Sequence, residues 1–179
     1  AKQVPAETFR GAMTLPRRLR LRRRDGELRV VQSPIVADAP VVHRLDAARI
    51  DGRLELPCPA AAARIVAEFT LGTAERVGLE VRAGADERTR IVIDRASGAI
   101  RVDRTRSGAP VMPDGFAAVH TAPLPTGAEG SVRLDVCVDI ASVEVFAAGG
   151  EVVLTDQIFP SPSSTGIAVF AEGGVATAE

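Results

Sequence analysis

The sequence predicts an all-β fold, a two-sheet antiparallel β-sandwich or its closed relative, the barrel. Three observations point there. The apolar stretches are short, and most alternate apolar with polar residues, the period of a sheet with one wet face. Gly, Pro, Asp and Ser punctuate them at near-regular spacing. Hardly any segment carries a helical period. At 179 residues the chain suits one domain and is long enough to bury a core without a metal or disulfide staple.

Taken in order, residues 28–31, 67–71, 77–82, 90–94, 99–103, 132–139, 142–147, 151–156 and 166–170 read as strands. Two hairpins join neighbours among them. Asp94-Arg95-Ala96-Ser97-Gly98 links the strand of the 90s to the next, and Ala147-Ala148-Gly149-Gly150 turns the chain after Val145-Phe146. Residues 58–63 are alanine-rich, but their prolines favour a loop or short turn over a helix. Further prolines, such as Pro110 and Pro113, punctuate loops.

Composition excludes several classes. The net charge is −1, which gives no general pull toward nucleic acid. No apolar run reaches the ~20 residues of a membrane helix, and no signal-peptide h-region is visible at Ala1-Lys2-Gln3-Val4-Pro5. Trp, Tyr and Asn are absent, and Lys2 is the only lysine among 22 basic residues. Cys58, Cys137, His43 and His120 have no zinc spacing. The cysteines read as small buried hydrophobes, with a single disulfide as the alternative. The histidines read as structural or exposed. No cofactor or metal is expected.

Three features bear on chemistry. Arg17-Arg18-Leu19-Arg20-Leu21-Arg22-Arg23-Arg24 could grip phosphate or an acidic polymer, but the Leu/Arg alternation is that of a strand with a charged outer face. No aromatic residue lies near it to stack a base. Strand-borne carboxylates such as Asp135, Asp139 and Asp156 read as solvated. No Gly-x-Ser-x-Gly, His-Glu-x-x-His or phosphate-binding glycine loop occurs. Val102-Asp103-Arg104-Thr105-Arg106-Ser107-Gly108 is either a salt-bridged turn or a carboxylate–guanidinium pair able to share vicinal sugar hydroxyls.

An ordered set of segments resembles the C-terminal β-sandwich module of glycoside hydrolase family 32, the levanases, inulinases, invertases and sucrose-6-phosphate hydrolases. It opens with Phe9-Arg10-Gly11-Ala12-Met13-Thr14-Leu15-Pro16-Arg17 and continues through Leu79-Glu80-Val81-Arg82-Ala83-Gly84, Asp103-Arg104-Thr105-Arg106-Ser107-Gly108, Phe116 and His120-Thr121-Ala122-Pro123-Leu124. Val132-Arg133-Leu134-Asp135-Val136 follows, then Ser142-Val143-Glu144-Val145-Phe146 and Leu154-Thr155-Asp156-Gln157-Ile158-Phe159-Pro160.

The resemblance implies one lectin-like jelly-roll sandwich over 1–179, the C-terminal module of a longer fructan hydrolase. It implies that the catalytic carboxylates sit on an N-terminal five-bladed propeller. Its Trp-Met-Asn-Asp-Pro-like, Arg-Asp-Pro and Glu-Cys motifs are missing here, so no catalytic residue is carried over. The family's last strand lies past Gly173-Gly174 and ends near a Trp. Only residues 175–179 follow the glycine pair here, which implies that this strand is lacking. Ile140, and Phe9 in the first segment, also depart from the family pattern.

The expected partner is the catalytic propeller, with no nucleic acid and no membrane. The expected location is extracellular, or cytoplasmic for a sucrose-6-phosphate hydrolase type of parent. Two functions stay open: a scaffold for the propeller, and a fructan-binding module. For the second, the candidate contacts are Glu80, Asp103, Arg104, Ser107 and Glu144, which lie in matching motifs and supply donors and acceptors. Convergence of these side chains in one open pocket favours binding; dispersal or mutual pairing favours the scaffold.

Overall fold

The computed structural model describes residues 11–108, 115–125 and 130–179. Phe9 and Arg10 of the opening segment, and the Pro110 and Pro113 punctuation, lie outside the described residues. The described chain is built almost wholly of strands: β1 (Arg17–Arg24), β2 (Glu27–Pro34), β3 (Ala48–Glu55), β4 (Ala63–Thr70), β5 (Arg76–Ala83), β6 (Arg88–Asp94), β7 (Ala99–Arg106), β8 (Val119–Pro123), β9 (Ser131–Val138), β10 (Ser142–Ala147), β11 (Val152–Gln157) and β12 (Gly166–Ala178). A single 3-10 turn, Ala148–Gly150, joins β10 to β11. Residues 57–62 form a loop, as their prolines dictate.

The strands pair antiparallel in the order β11-β10-β9-β4-β12-β5-β6-β7-β8, with β3 along the other edge of β12. β12 joins the two layers of the sandwich. Its first half pairs with β5, Gly166 to Glu172 against Ala83 to Arg76. Its end passes to β4, with Thr177 opposite Thr70 and Ala178 opposite Phe69. β3 follows it through both halves, with a register shift between Ala171 and Val175. One layer is therefore β5-β6-β7-β8 with the first half of β12, and the other is β11-β10-β9-β4 with its end.

Gly173 and Gly174 make that corner. Gly173 has φ +70°, and a Cβ there would lie 2.6 Å from Glu75 Cγ. Gly174 has φ +152°, and its Cβ would lie 2.4 Å from the Thr73 carbonyl oxygen. Only glycine fits both the backbone angles and the close approach. The pair reads as a turn in sequence, yet residues 175–178 continue the same strand.

The core is one cluster between the layers. Leu79, Val81, Ile91 and Ile93 from the first layer meet Leu134, Val136, Val143 and Val145 from the second. Because successive residues of a strand point to opposite faces, the residues between these point outward. That parity places Glu80 and Arg90 on the outside of the first layer, and Glu144 and Phe146 on the outside of the second. β1 and β2 form a separate two-stranded sheet. It lies by the second layer, where Arg22 and Arg24 pair with Glu151 at 3.3 and 3.1 Å.

Candidate functional site

The five side chains singled out in the sequence fall in three separate places rather than in one open pocket, the arrangement that favours the scaffold of the two functions left open. Glu80 is buried on the outer face of β5. Its Oε2 accepts from Arg53 Nε at 2.9 Å. Its Oε1 lies 3.3 Å from Arg88 Nε and 3.4 Å from Arg90 Nε. Arg90 is held again by Glu172 at 2.5 Å, and its guanidinium stands 4.2 Å over the Phe170 ring. Hydrogen bonds to Glu80 and Glu55 keep the Arg53 guanidinium above its ordinary pKa, against a smaller opposing effect of burial.

Glu144 is buried on the opposite layer. Its two oxygens accept from Leu15 N at 2.7 Å and from Arg17 Nη2 at 2.6 Å. Arg17 also reaches Thr155 Oγ1 at 2.9 Å and Gln32 Oε1 at 3.1 Å. Glu144 is therefore an anchor for the segment leading into β1.

Asp103, Arg104 and Ser107 lie at the end of β7 but do not act together. Asp103 Oδ1 accepts from Thr105 N at 2.9 Å and Thr105 Oγ1 at 2.6 Å, closing a local turn. Arg104 donates to the Gln157 carbonyl at 3.1 Å, lies 3.4 Å from Asp156 Oδ1 and stacks 4.3 Å over Phe116. Ser107 is buried, with its Oγ 2.7 Å from Thr89 Oγ1. His120 Nδ1 meets Asp156 Oδ1 at 2.5 Å. It thereby ties β8 to β11, the two ends of the strand order, with its ring half exposed. Both cysteines are free thiols, and burial pushes the Cys137 thiol up to about 11.

Glu80 also lines an open depression of about 530 Å³. Its other polar walls are Arg53, Glu55, Arg88, Ser163 and Thr165. The loops forming its rim are clamped by Arg82, a buried side chain at φ +50° that donates to the carbonyls of Ala61 and Ser161 at 2.8 and 3.2 Å. Burial lowers the pKa of this guanidinium. Sequence reasoning missed Arg53, Glu55 and Arg88. They sit on two other strands, and cross-strand register alone brings them to Glu80.

A second feature is the β1–β2 hairpin. The register sets Leu19 opposite Gln32, Leu21 opposite Val30 and Arg23 opposite Leu28, so Leu19, Leu21, Leu28 and Val30 share a face. Each of these four is more than half exposed. The alternation was legible as a strand, but the charged face is only partly the outer one. Arg22 and Arg24 turn inward to Glu151, and the apolar stripe is left open.

Residues 41–179 match the family model described as glycosyl hydrolases family 32 C terminal. The chain is 32% identical over 192 residues to a levanase of Bacillus subtilis, covering 97% of this chain and 27% of that protein. It is 32% identical over 180 residues to the extracellular exo-inulinase of Aspergillus ficuum, covering 96% of this chain and 34% of that protein. The crystal structure of the Aspergillus awamori exo-inulinase superposes with a TM-score of 0.86 at 30% identity, over 98% of this chain and 36% of that one. The chain thus spans about a third or less of each of these relatives, and it aligns with a C-terminal domain rather than with a whole enzyme. It belongs to the C-terminal domains of glycosyl hydrolase family 32.

Proposed function

We propose that this chain is the non-catalytic C-terminal module of an extracellular enzyme that hydrolyses fructans, and that it works by holding the catalytic domain. Its relatives are named levanase and extracellular exo-inulinase. The observation that carries the reading is the hairpin. A two-stranded sheet is marginal in water alone, and this one presents a contiguous apolar stripe to solvent. It lies at residues 17–34, ahead of the matched region that starts at 41. The hairpin is thus nearer in sequence than the rest of the sandwich to a catalytic domain that precedes the module. Of the sugar-contact candidates, Arg104, Ser107 and Glu144 are committed to internal partners and Asp103 closes its own turn, which also supports scaffolding.

The test compares the same substitutions in two settings. Leu19→Glu with Leu28→Glu changes exposed residues that are not cross-strand partners, so the isolated chain should lose no more than about 0.5 kcal/mol per site. In the full-length parent the charges would be buried at the domain interface. The melting temperature and the activity remaining after heating should both fall. An equal effect in both settings, or none in either, refutes docking through this face.

A further inference from the structure

We propose that the open edge of β3 is a pairing surface for a second copy of this chain, joined antiparallel about a two-fold axis at Gly52. β3 bonds to β12 along one side only. The two ends of the strand order are closed on each other, since His120 on β8 holds Asp156 on β11. β3 is therefore the sandwich edge left open, and such an edge is a template for another strand.

The backbone of that edge is free in both halves. Leu56 N donates to the Ile167 carbonyl at 2.9 Å, so Leu56 turns toward β12. Alternation along the ladder then turns the backbone N–H and C=O groups of Glu55 and Arg53 away from it. Beyond the register shift, the Val175 carbonyl accepts from Thr73 N at 2.9 Å, on the side away from β3. Its register partner Asp51 consequently faces outward, and Arg49 with it. Among the described residues, no loop backbone bonds to these four. All four are exposed, and nothing lies within 4 Å of a Cβ built on Gly52.

Charge selects the partner. Arg49, Asp51, Arg53 and Glu55 share one face of β3 and alternate in sign. Two copies centred on Gly52 set Arg49 opposite Glu55 and Asp51 opposite Arg53, and the symmetry repeats both pairs. The same register opposes the outward backbone groups of the two strands, as the hydrogen-bonded pairs of an antiparallel ladder require. Moving the axis to Asp51 sets Arg49 opposite Arg53, and moving it to Arg53 sets Asp51 opposite Glu55, so both slips repel. A row of one sign guards an edge against copies of itself; this row matches its own reverse.

Little opposes the exchange within one chain. Arg49 pairs with Asp51 at 3.4 Å and Arg53 with Glu55 at 3.2 Å, all on the surface, where ion pairs contribute little. Arg53 keeps its Nε on Glu80 while its Nη groups turn to the second copy. One pair of strands buries less than a standard interface, so the dimer is weak, with a Kd on the order of 100 μM.

The experiment is sedimentation equilibrium of the whole chain from about 10 μM to about 1 mM, at low and high salt. Support is a monomer–dimer equilibrium that weakens with salt. Arg49→Glu and Glu55→Arg should each raise the Kd roughly tenfold or more, because each sets two like-charged pairs face to face. Mixed in equal amounts, the two variants should dimerise again. The introduced carboxylate then meets the introduced guanidinium, and the native Arg49 of one copy meets the native Glu55 of the other. The two side chains are 73% and 67% exposed, so both variants should fold, and melting temperatures matching the unaltered chain verify this. Three results overturn the proposal: a monomer throughout, a dimer that ignores both variants, or variants that stay monomeric when mixed. Neither substitution lies on the hairpin, so docking to the catalytic domain stands or falls on its own variants.

Discussion

Replacing Arg17 with Met should release the β1–β2 hairpin, and Glu144→Gln should do so far less. The asymmetry follows from burial. Glu144 is nearly inaccessible, and its two hydrogen-bond donors are Leu15 N and Arg17. Arg17→Met keeps much of the aliphatic packing over Phe146, 5.3 Å away, but leaves a carboxylate with one neutral donor. Stranding one member of a buried ion pair costs about 3–5 kcal/mol. Glu144→Gln leaves Arg17 with Thr155 and Gln32, and the new amide oxygen can still accept from Leu15 N. That loss is about 1 kcal/mol.

The chain can escape the larger penalty by lifting the hairpin, because Glu144 is then hydrated on a sandwich that stays folded. The penalty thus becomes a local opening rather than a global melt. Trypsin reads this directly, since β1 carries Arg17, Arg18, Arg20, Arg22, Arg23 and Arg24. A destabilisation of about 3 kcal/mol raises the open fraction, and so the cleavage rate, roughly a hundredfold. For Glu144→Gln the increase should stay below about tenfold. Hydrogen exchange should show the same ranking in β1 and β2, while the strands of the core keep their protection. Equal lability of the two variants, or cleavage that begins only when the core melts, refutes the reasoning.

Two further outcomes probe the sandwich itself. Gly174→Ala should cost roughly 1–3 kcal/mol, since its Cβ would meet the Thr73 carbonyl at 2.4 Å in a strained backbone, and the melting temperature should drop by about 2–4 °C per kcal/mol. Gly98→Ala has open space at φ +58° and serves as the milder control, at roughly 1–2 kcal/mol for its backbone alone. Asp94 closes the β6–β7 turn: Ser97 N and Ser97 Oγ each donate to its Oδ1 at 2.9 Å. The backbone bond from Ser97 holds its carboxyl below the ordinary range, with burial opposing and the Ser97 hydroxyl and Arg101 adding to it. A depressed carboxylate pKa stabilises the fold above the unfolded value, and that contribution vanishes as pH falls through the folded one. Urea melts should therefore show Asp94→Asn less stable by about 1–2 kcal/mol at neutral pH, with the gap closing below about pH 4. A gap that persists into strong acid refutes this role.

The inner face of the sandwich was legible because the rule behind it is local. Leu79 and Val81, or Val143 and Val145, declare a buried face by alternation alone, wherever their partners lie. Elements that contribute little to the core escaped. β3 buries only Ile50 deeply among its eight residues, and β8 is five residues long with no deeply buried member. The second half of β12 was hidden for another reason. Gly173-Gly174 is written as a turn, and it becomes a corner only because β4 waits beyond it.

The outer faces obey no such local rule, which is why motif matching found Glu80 and Glu144 without their roles. Each occupies the same kind of position, a carboxylate between two core residues, yet one serves an open depression and the other an anchor. The difference lies in what register delivers. β3, across β12, and β6 bring Arg53, Arg88 and Arg90 to Glu80, while Arg17 arrives at Glu144 from 127 residues away. In both cases the carboxylate is buried by the arginines that satisfy it, and guanidinium suits this better than ammonium because its fork can bind one group while reaching for another. The bias toward arginine therefore has a structural use here. It lets outward-facing strand positions be sealed where the chain must hold an element, and left with spare donors where the surface stays open.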